Sequence, residues 1–125
     1  MLARLLLPIS LIGLALAKPA GASSPPGAPA VDPATIYRSR CGSCHAPDQN
    51  RVGPKHRGVV GRKSGSVPGY AYSPALKAAG IVWSREELDK WLQGPRKRVA
   101  GTRMVTAVAD PTDRRAIIDY LETLR

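Results

Sequence analysis

The feature that most constrains this chain is the stretch Cys41-Gly42-Ser43-Cys44-His45, which places two thiols and an imidazole within five residues. The pattern C-x-x-C-H is typical of the site at which a c-type haem is attached. The thiols of Cys41 and Cys44 can add to the two vinyl groups of the porphyrin, because one helical turn spans the vinyl separation. His45 then presents an imidazole nitrogen to the iron. The stretch therefore predicts one covalently bound haem c, with His45 as a metal ligand.

Three alternative roles for the cysteine pair are less favoured. A disulfide or a thioredoxin-type redox pair does not require a His after the second Cys, and no βαβ pattern surrounds this one. A zinc site would need further ligands, whereas the sequence has 2 Cys and 2 His in total. A chance occurrence of the motif is the third alternative. Covalent haem attachment is the interpretation that the motif favours.

Length and charge indicate the class of protein. The 125 residues suffice for one domain and a leader, and they include 2 Trp, 4 Tyr and no Phe. A large apolar cofactor would supply the missing core volume. The net charge is +10, from 19 Lys and Arg against 9 Asp and Glu. Because the basic residues are scattered and no nucleic-acid motif is present, we expect an acidic protein surface as partner, and no nucleic acid.

Residues 1–22 have the pattern of a secretory signal peptide. A short basic region with Arg4 precedes an apolar run from Leu5 to Ala17, and small residues end at a cleavage site after Ala22. Cleavage after Ala17 is the alternative. The apolar run contains Pro8 and is shorter than the roughly 20 residues of a membrane-spanning helix. We therefore expect export to the periplasm without stable membrane insertion.

The remaining sequence predicts an all-α domain over residues 32–125, after a flexible Pro-, Gly-, Ala- and Ser-rich linker at 23–31. No segment shows sustained period-two alternation, so no strand is predicted. Helix starts are marked by a capping residue before Pro or by a capping box. These signals are Asp32-Pro33, Ser73-Pro74, Ser84 with Glu87, and Asp110-Pro111. Helix ends are marked by Gly80 and Gly94-Pro95, and a loop is predicted from there to Asp110.

Two helices have a predicted apolar face. The third helix carries Leu88, Trp91 and Leu92 at helical spacing. The last helix carries Ile117, Tyr120, Leu121 and Leu124. Both faces are expected to pack into the core.

The second axial position of the iron has three possible occupants. Met104 lies in an extended-looking loop after Gly101, far enough along the chain to reach the other side of the ring. His56 follows His45 closely and comes just after Gly53-Pro54, so we expect it on the proximal side. An open position for a small molecule is the third possibility. The loop around Met104 favours Met104 as the ligand.

These motifs, in this order, resemble the class I cytochrome c family of soluble mitochondrial and bacterial proteins. The resemblance extends from about Pro33 to Leu124. The motifs that carry it, besides the CxxCH stretch, are Gly53-Pro54, Gly58 with Gly61-Arg62, Gly69-Tyr70-Ala71-Tyr72-Ser73, Ile81-Val82-Trp83, Pro95, Gly101-Thr102-Arg103-Met104 and Tyr120-Leu121.

The resemblance implies a class I cytochrome c fold, in which three to five helices surround one haem and the N- and C-terminal helices cross. It implies that the carbonyl of Pro54 accepts a hydrogen bond from His45 and that Met104 is the distal metal ligand. A buried propionate needs donors around it, because removing a carboxylate from water costs on the order of several kcal/mol. The remaining cofactor contacts implied are Arg62, Tyr72 and Trp83 at that propionate, Trp91 lining the pocket, and Thr102 in the distal loop.

Four positions depart from the family pattern. Pro33 replaces a small glycine that lets the terminal helices cross closely. Lys55 and His56 stand where Asn and Leu are more usual, and Ala100 replaces a common proline before the distal glycine. We expect Ala100 to make the Met104 loop easier to open.

With both axial positions occupied, the resemblance implies a monomeric one-electron carrier, not an enzyme. Its expected partners are acidic docking surfaces of a cytochrome oxidase, a cytochrome bc-type complex or a periplasmic dehydrogenase. Two alternatives are a peroxidase or gas sensor with a detachable Met ligand, and a haem subunit dedicated to one dehydrogenase. The cations expected around the haem edge are Arg38, Arg40, Arg51, Lys55, Arg96, Lys97, Arg98 and Arg103.

Overall fold

The computed structural model describes residues 31–125. The signal peptide predicted at 1–22 and nearly all of the predicted linker lie outside the described residues, and both stay predictions. The described chain forms α1 (Pro33–Cys41), α2 (Pro74–Ala78), α3 (Arg85–Gln93), α4 (Pro95–Arg98) and α5 (Pro111–Thr123). No strand occurs in residues 31–125, where the only β pairing is an isolated antiparallel bridge between Lys63 and Val82. The all-α prediction is confirmed.

The predicted helix starts are confirmed by side-chain hydrogen bonds at their first turns. Each capping oxygen accepts from a backbone N–H two or three residues later, so one otherwise unpaired donor of the helix is satisfied. In three of the four helices a proline follows the cap, and its fixed φ suits the first helical position. The capping residues are Asp32, Ser73, Ser84 and Asp110.

The capping box predicted at the start of α3 is only half formed. Ser84 Oγ accepts a hydrogen bond from the backbone N–H of Glu87 (3.2 Å), but the Glu87 carboxylate does not return to Ser84. It binds Arg98 (2.7 Å) and Lys90 (3.1 Å), because charged donors form stronger hydrogen bonds than a neutral amide does. The Arg98 contact joins α3 to α4. The loop predicted after Gly94 was wrong at this point, since Pro95 starts a helical turn there.

The terminal helices pack against each other and build one wall of the core. Tyr37 of α1 and Tyr120 of α5 have ring centroids 4.5 Å apart, and Arg40 pairs with Asp113 (2.5 Å). The predicted face of α5 omitted Ile118, which is 2 % exposed. The predicted face of α3 is confirmed, since its buried residues are Leu88, Trp91 and Leu92. Side chains of α3 and α5 therefore face a shared interior.

Within residues 31–125 no helix has both the length and the apolar character needed to cross a bilayer.

Candidate haem site

The helices and the loops between them surround a largely apolar cavity of about 450 Å³. Every residue assigned to the cofactor from the sequence lines this cavity. The structure therefore brings together side chains that are spread over much of the chain. They are Cys41, Cys44, His45, Pro54, Arg62, Tyr72, Trp83, Trp91, Thr102 and Met104.

The CxxCH stretch continues α1 by one turn. The backbone N–H groups of Cys44 and His45 both donate to the carbonyl of Cys41, at 3.1 and 2.8 Å. This turn directs both thiols and the imidazole at the cavity. Burial, followed by the nearby Cys44, raises the pKa of the Cys41 thiol to about 11. A thioether carries no charge, so burial does not oppose the attachment of a porphyrin at this position.

The imidazole of His45 is held in one tautomer. Its Nδ1 lies 2.8 Å from the carbonyl oxygen of Pro54, which can only accept, so Nδ1 carries the hydrogen. Burial lowers the pKa of His45, and the Pro54 hydrogen bond acts in the opposite direction. The ring is therefore neutral near pH 7, with the lone pair of Nε2 free to ligate a metal. The carbonyl also makes the imidazole a stronger donor to that metal.

Met104 approaches the cavity from the loop that follows α4. Gly101 allows the loop to turn, because its φ of 89° lies in the left-handed region that favours glycine. Arg103 donates to the carbonyl of Ala71 (2.5 Å), so the residue next to Met104 is tied to the segment before α2. Met104 is half-buried and lines the cavity. The expectation that Ala100 loosens this loop stays a prediction.

One part of the cavity wall is polar and cationic. The half-buried guanidinium of Arg62 donates to the carbonyls of Arg57 and Lys55, both at 2.9 Å. None of the acidic side chains in residues 31–125 pairs with it. Burial lowers the pKa of Arg62, and nearby Tyr72 opposes this. The Tyr72 hydroxyl oxygen accepts from the backbone N–H of Val67 (3.2 Å), so its own hydrogen can be donated. A partly buried cation beside a free hydroxyl donor fits an anionic group of a cofactor.

The rest of the lining was only partly predicted. His56 lies beside His45, with ring centroids 4.0 Å apart, so it lies on the proximal side, as expected. The apolar residues that the loops contribute were not predicted. Loop residues have no helical or strand period, so no pattern in the sequence indicates which of them face inward. They include Val59, Val105 and Val108.

These groups fit a haem attached through two thioethers. The cavity offers two thiols, a neutral imidazole, a thioether and a partly buried cation within one apolar enclosure. Among residues 31–125, no three His, Cys, Asp or Glu side chains are grouped as a site for a bare metal ion. Fold and cavity together define a small all-α protein with a c-type haem.

The comparison with protein families agrees with this class. The family model described as Cytochrome c matches residues 30–125. The chain belongs to the cytochrome c family: it is a class I monohaem cytochrome c, and its cofactor is a covalently attached haem c.

Individual relatives cover most of the described chain. Cytochrome c from Euglena viridis is 48 % identical over 93 residues, covering 72 % of this chain and 91 % of the relative. Cytochrome c2 from Rhodopila globiformis is 45 % identical over 106 residues, covering 82 % and 99 %. Among solved structures, cytochrome cH from Methylobacterium extorquens has a TM-score of 0.70 and 42 % identity, covering 75 % of this chain and 97 % of that one. The class I cytochrome c fold predicted from the sequence is confirmed.

Proposed function

We propose that this protein is a periplasmic one-electron carrier whose iron is ligated by His45 and Met104. One observation carries the proposal: an imidazole with a free Nε2 and a thioether from a distant loop line the same cavity. If His45 and Met104 both ligate the iron, a substrate would have no position at which to bind it. The haem supplies a reversible change between ferrous and ferric iron, and the protein determines the reduction potential of that change.

The side chains around the cavity favour the reduced state. A thioether such as that of Met104 raises the reduction potential relative to a second imidazole. Buried apolar side chains, among them Trp91 and Leu92, act in the same direction, because a low dielectric disfavours the extra charge of ferric haem. Arg62 would neutralise the charge of a propionate, and Tyr72 would donate a hydrogen bond to it. Together they would fix the position of the cofactor in the cavity.

Electron exchange requires a partner to dock near the cavity mouth. Of the cations expected there, Arg38, Arg40 and Arg98 are paired with Asp32, Asp113 and Glu87. The five others make no ion pair with any acid of residues 31–125: Arg51, Lys55, Arg96, Lys97 and Arg103.

The mouth also has apolar contacts to offer. Val52 and Val105 both line the cavity, yet they are 75 % and 58 % exposed. Cations around exposed apolar side chains suit brief, salt-sensitive docking to an acidic protein surface. An oxidase, a bc-type complex or a periplasmic dehydrogenase would present such a surface. Similarity to the bacterial cytochromes c2 and cH supports a periplasmic location.

Spectra of the purified holoprotein test the axial ligands. The wild type should show the Met–iron absorption band when oxidised and should not bind carbon monoxide when reduced. Met104→Ala should lose the band and bind carbon monoxide. A wild type that already lacks the band and binds carbon monoxide would instead be the haem enzyme or gas sensor, and the proposal would be rejected.

A further inference from the structure

Three aromatic side chains form a chain of contacts that ends at His45. The hydroxyl of Tyr37 in α1 lies 2.9 Å from Nδ1 of His56. The ring of His56 lies nearly parallel to that of His45, with an interplanar angle of 17° and centroids 4.0 Å apart. Tyr37 is 2 % exposed and His56 is half-buried, so this contact lies at the edge of the core. His56 is thus held on one side by a helix and touches the haem-binding imidazole on the other.

The His56 ring is held by contacts on two sides. Burial raises the pKa of Tyr37 well above its usual value, so the phenol keeps its proton and stays able to hydrogen-bond the imidazole. Nδ1 of His56 lies 2.9 Å from that hydroxyl, and the face of the same ring stacks on His45. A hydrogen bond at one ring atom and a stacked face together hold the His56 ring in one orientation.

The contacts of His45 show what this fixed ring can do. The Pro54 hydrogen bond determines where Nδ1 of His45 points, at 2.8 Å from the carbonyl. A single hydrogen bond still allows the His45 ring to rotate about the axis of that bond. A parallel ring in van der Waals contact opposes that rotation, because rotation would drive the edge of His45 into the face of His56. The two restraints are therefore complementary.

We propose that His56, held by its hydrogen bond with Tyr37, is a positioning residue that determines the plane of the His45 ring. The proposal rests on the axial role given to His45 under the proposed function. The alternative is a purely structural role, in which Tyr37 and His56 only fill the wall behind His45. Both roles predict a loss of stability when the pair is broken. Only a positioning role predicts a change in the orientation of the axial imidazole.

The test uses ferric holoprotein with Tyr37→Phe, His56→Leu and the double variant. Tyr37→Phe removes the hydroxyl and keeps the ring, and His56→Leu removes the parallel ring. The matched control is Tyr120→Phe, which removes a hydroxyl from the ring packed 4.5 Å from Tyr37 without touching the hydrogen bond. Two quantities are measured: the thermal midpoint, and the order and spread of the four haem-methyl proton resonances, which depend on the axial imidazole plane.

We expect both single substitutions to lower the midpoint of thermal unfolding and to change the spread of the haem-methyl chemical shifts. Tyr120→Phe should leave that spread as in the wild type. In the double variant an apolar pair replaces the hydrogen-bonded pair. It should regain thermal stability relative to the His56→Leu variant, because no polar group is left unpaired in the core. Its haem-methyl spread should still differ from that of the wild type, since the parallel ring is gone.

Failure of this inference is distinguishable from failure of the proposed function. The wild-type spectrum is recorded first, and a five-coordinate wild type rejects the axial pair itself. A six-coordinate wild type whose haem-methyl resonances are unchanged in all three variants rejects the role of His56 and leaves the carrier function standing. If His56→Leu yields no holoprotein, Tyr37→Phe decides alone, because it changes one oxygen atom and no ring.

Discussion

Gly53 lies so close to the imidazole of His45 that a Cβ at residue 53 would be 2.1 Å from Cε1 and 2.5 Å from each ring nitrogen. The backbone of Gly53 is not in the positive-φ region, so the approach of the ring, not backbone strain, requires glycine. Gly53→Ala should displace His45 from Pro54 and destabilise the holoprotein by about 2 kcal/mol, as overpacking of a core does. Denaturant unfolding monitored at the haem absorption measures this loss.

Gly94→Ala is the matched control for that substitution. Gly94 is extended (φ 177°), and the atoms nearest to a Cβ there would be those of the aliphatic part of Lys97, the first at 3.2 Å. Because that side chain is flexible, the variant should stay within about 0.5 kcal/mol of the wild type. Equal stabilities of the two alanine variants would show that His45 can move aside at no cost.

Arg103 anchors the loop that carries Met104. Its guanidinium donates to the carbonyl of Ala71, and this bond must break before the loop can swing away from the cavity. Arg103→Ala should therefore weaken the closed loop by about 1 kcal/mol. The Met–iron band should disappear at lower denaturant concentration and lower alkaline pH than in the wild type.

Arg96→Ala controls for the lost charge in that experiment. Arg96 is exposed in α4, and its side chain makes no hydrogen bond to any of residues 31–125. We expect its Met–iron band to persist as in the wild type. Identical midpoints for the two variants would mean that the Arg103 hydrogen bond does not hold the loop.

The parts of the fold that follow from local chemistry were predictable from the sequence. Asp32 and Ser73 cap their helices through atoms only a few residues away, so the capping pattern indicates the start directly. Gly80 marks the end of a helix because its φ of 66° suits glycine. The two thiols and His45 were identifiable for the same reason, since the motif is contiguous.

The contacts that could not be predicted join residues that are distant in the chain. Glu87 binds Arg98 only because α4 folds back beside α3, which no propensity indicates. The contact of Tyr37 with His56 joins a helix to a loop with no periodic pattern. The placement of Met104 at the cavity was predicted from the glycine-containing loop around it and from the family resemblance, since spacing alone cannot tell a ligand from a packed methionine.

Asp89 provides a pH-dependent contribution to stability. Arg114, which is 12 % exposed at its side chain, donates to the Asp89 carboxylate at 2.7 Å and holds the pKa of Asp89 below its usual 3.8. A lowered folded-state pKa stabilises the fold above the unfolded value and stops doing so as pH falls through the folded value. Asp89→Asn should cost up to about 1 kcal/mol near pH 7, because the carboxylate is partly exposed. The difference from the wild type should shrink to nothing well below pH 3.8.

Urea unfolding at a series of pH values measures this difference. Asp110→Asn is the matched control, because asparagine keeps the cap of α5 while the same charge is removed. Asp110 makes no ion pair with any cation of residues 31–125. The Asp110→Asn variant should therefore lose only the interaction of the cap charge with the helix dipole, about 0.5 kcal/mol near pH 7. A pH-independent loss in Asp89→Asn would mean that shape, not charge, is what Arg114 recognises.

Arg51 is a cation whose position suits electrostatic docking at the cavity mouth. It is exposed, it donates to the carbonyl of Gly42 within the CxxCH stretch (3.0 Å), and its neighbour Val52 lines the cavity. Arg51→Gln should slow electron transfer to an acidic redox partner about twofold at low ionic strength, as the loss of one exposed ion pair does. Stopped-flow kinetics with a purified acidic partner measures the rate.

Arg115→Gln separates local docking from net charge. Arg115 is an exposed cation on α5 beside a groove against α3, away from the cavity, and its loss changes the net charge equally. We expect the Arg115 variant to react as fast as the wild type. The difference in electron-transfer rate between the two variants should disappear as the salt concentration is raised. The reason is that the Debye length falls from about 10 Å at 0.1 M to about 3 Å at 1 M. Equal slowing by both substitutions would mean that the partner responds to total charge, and docking at the cavity mouth would be wrong.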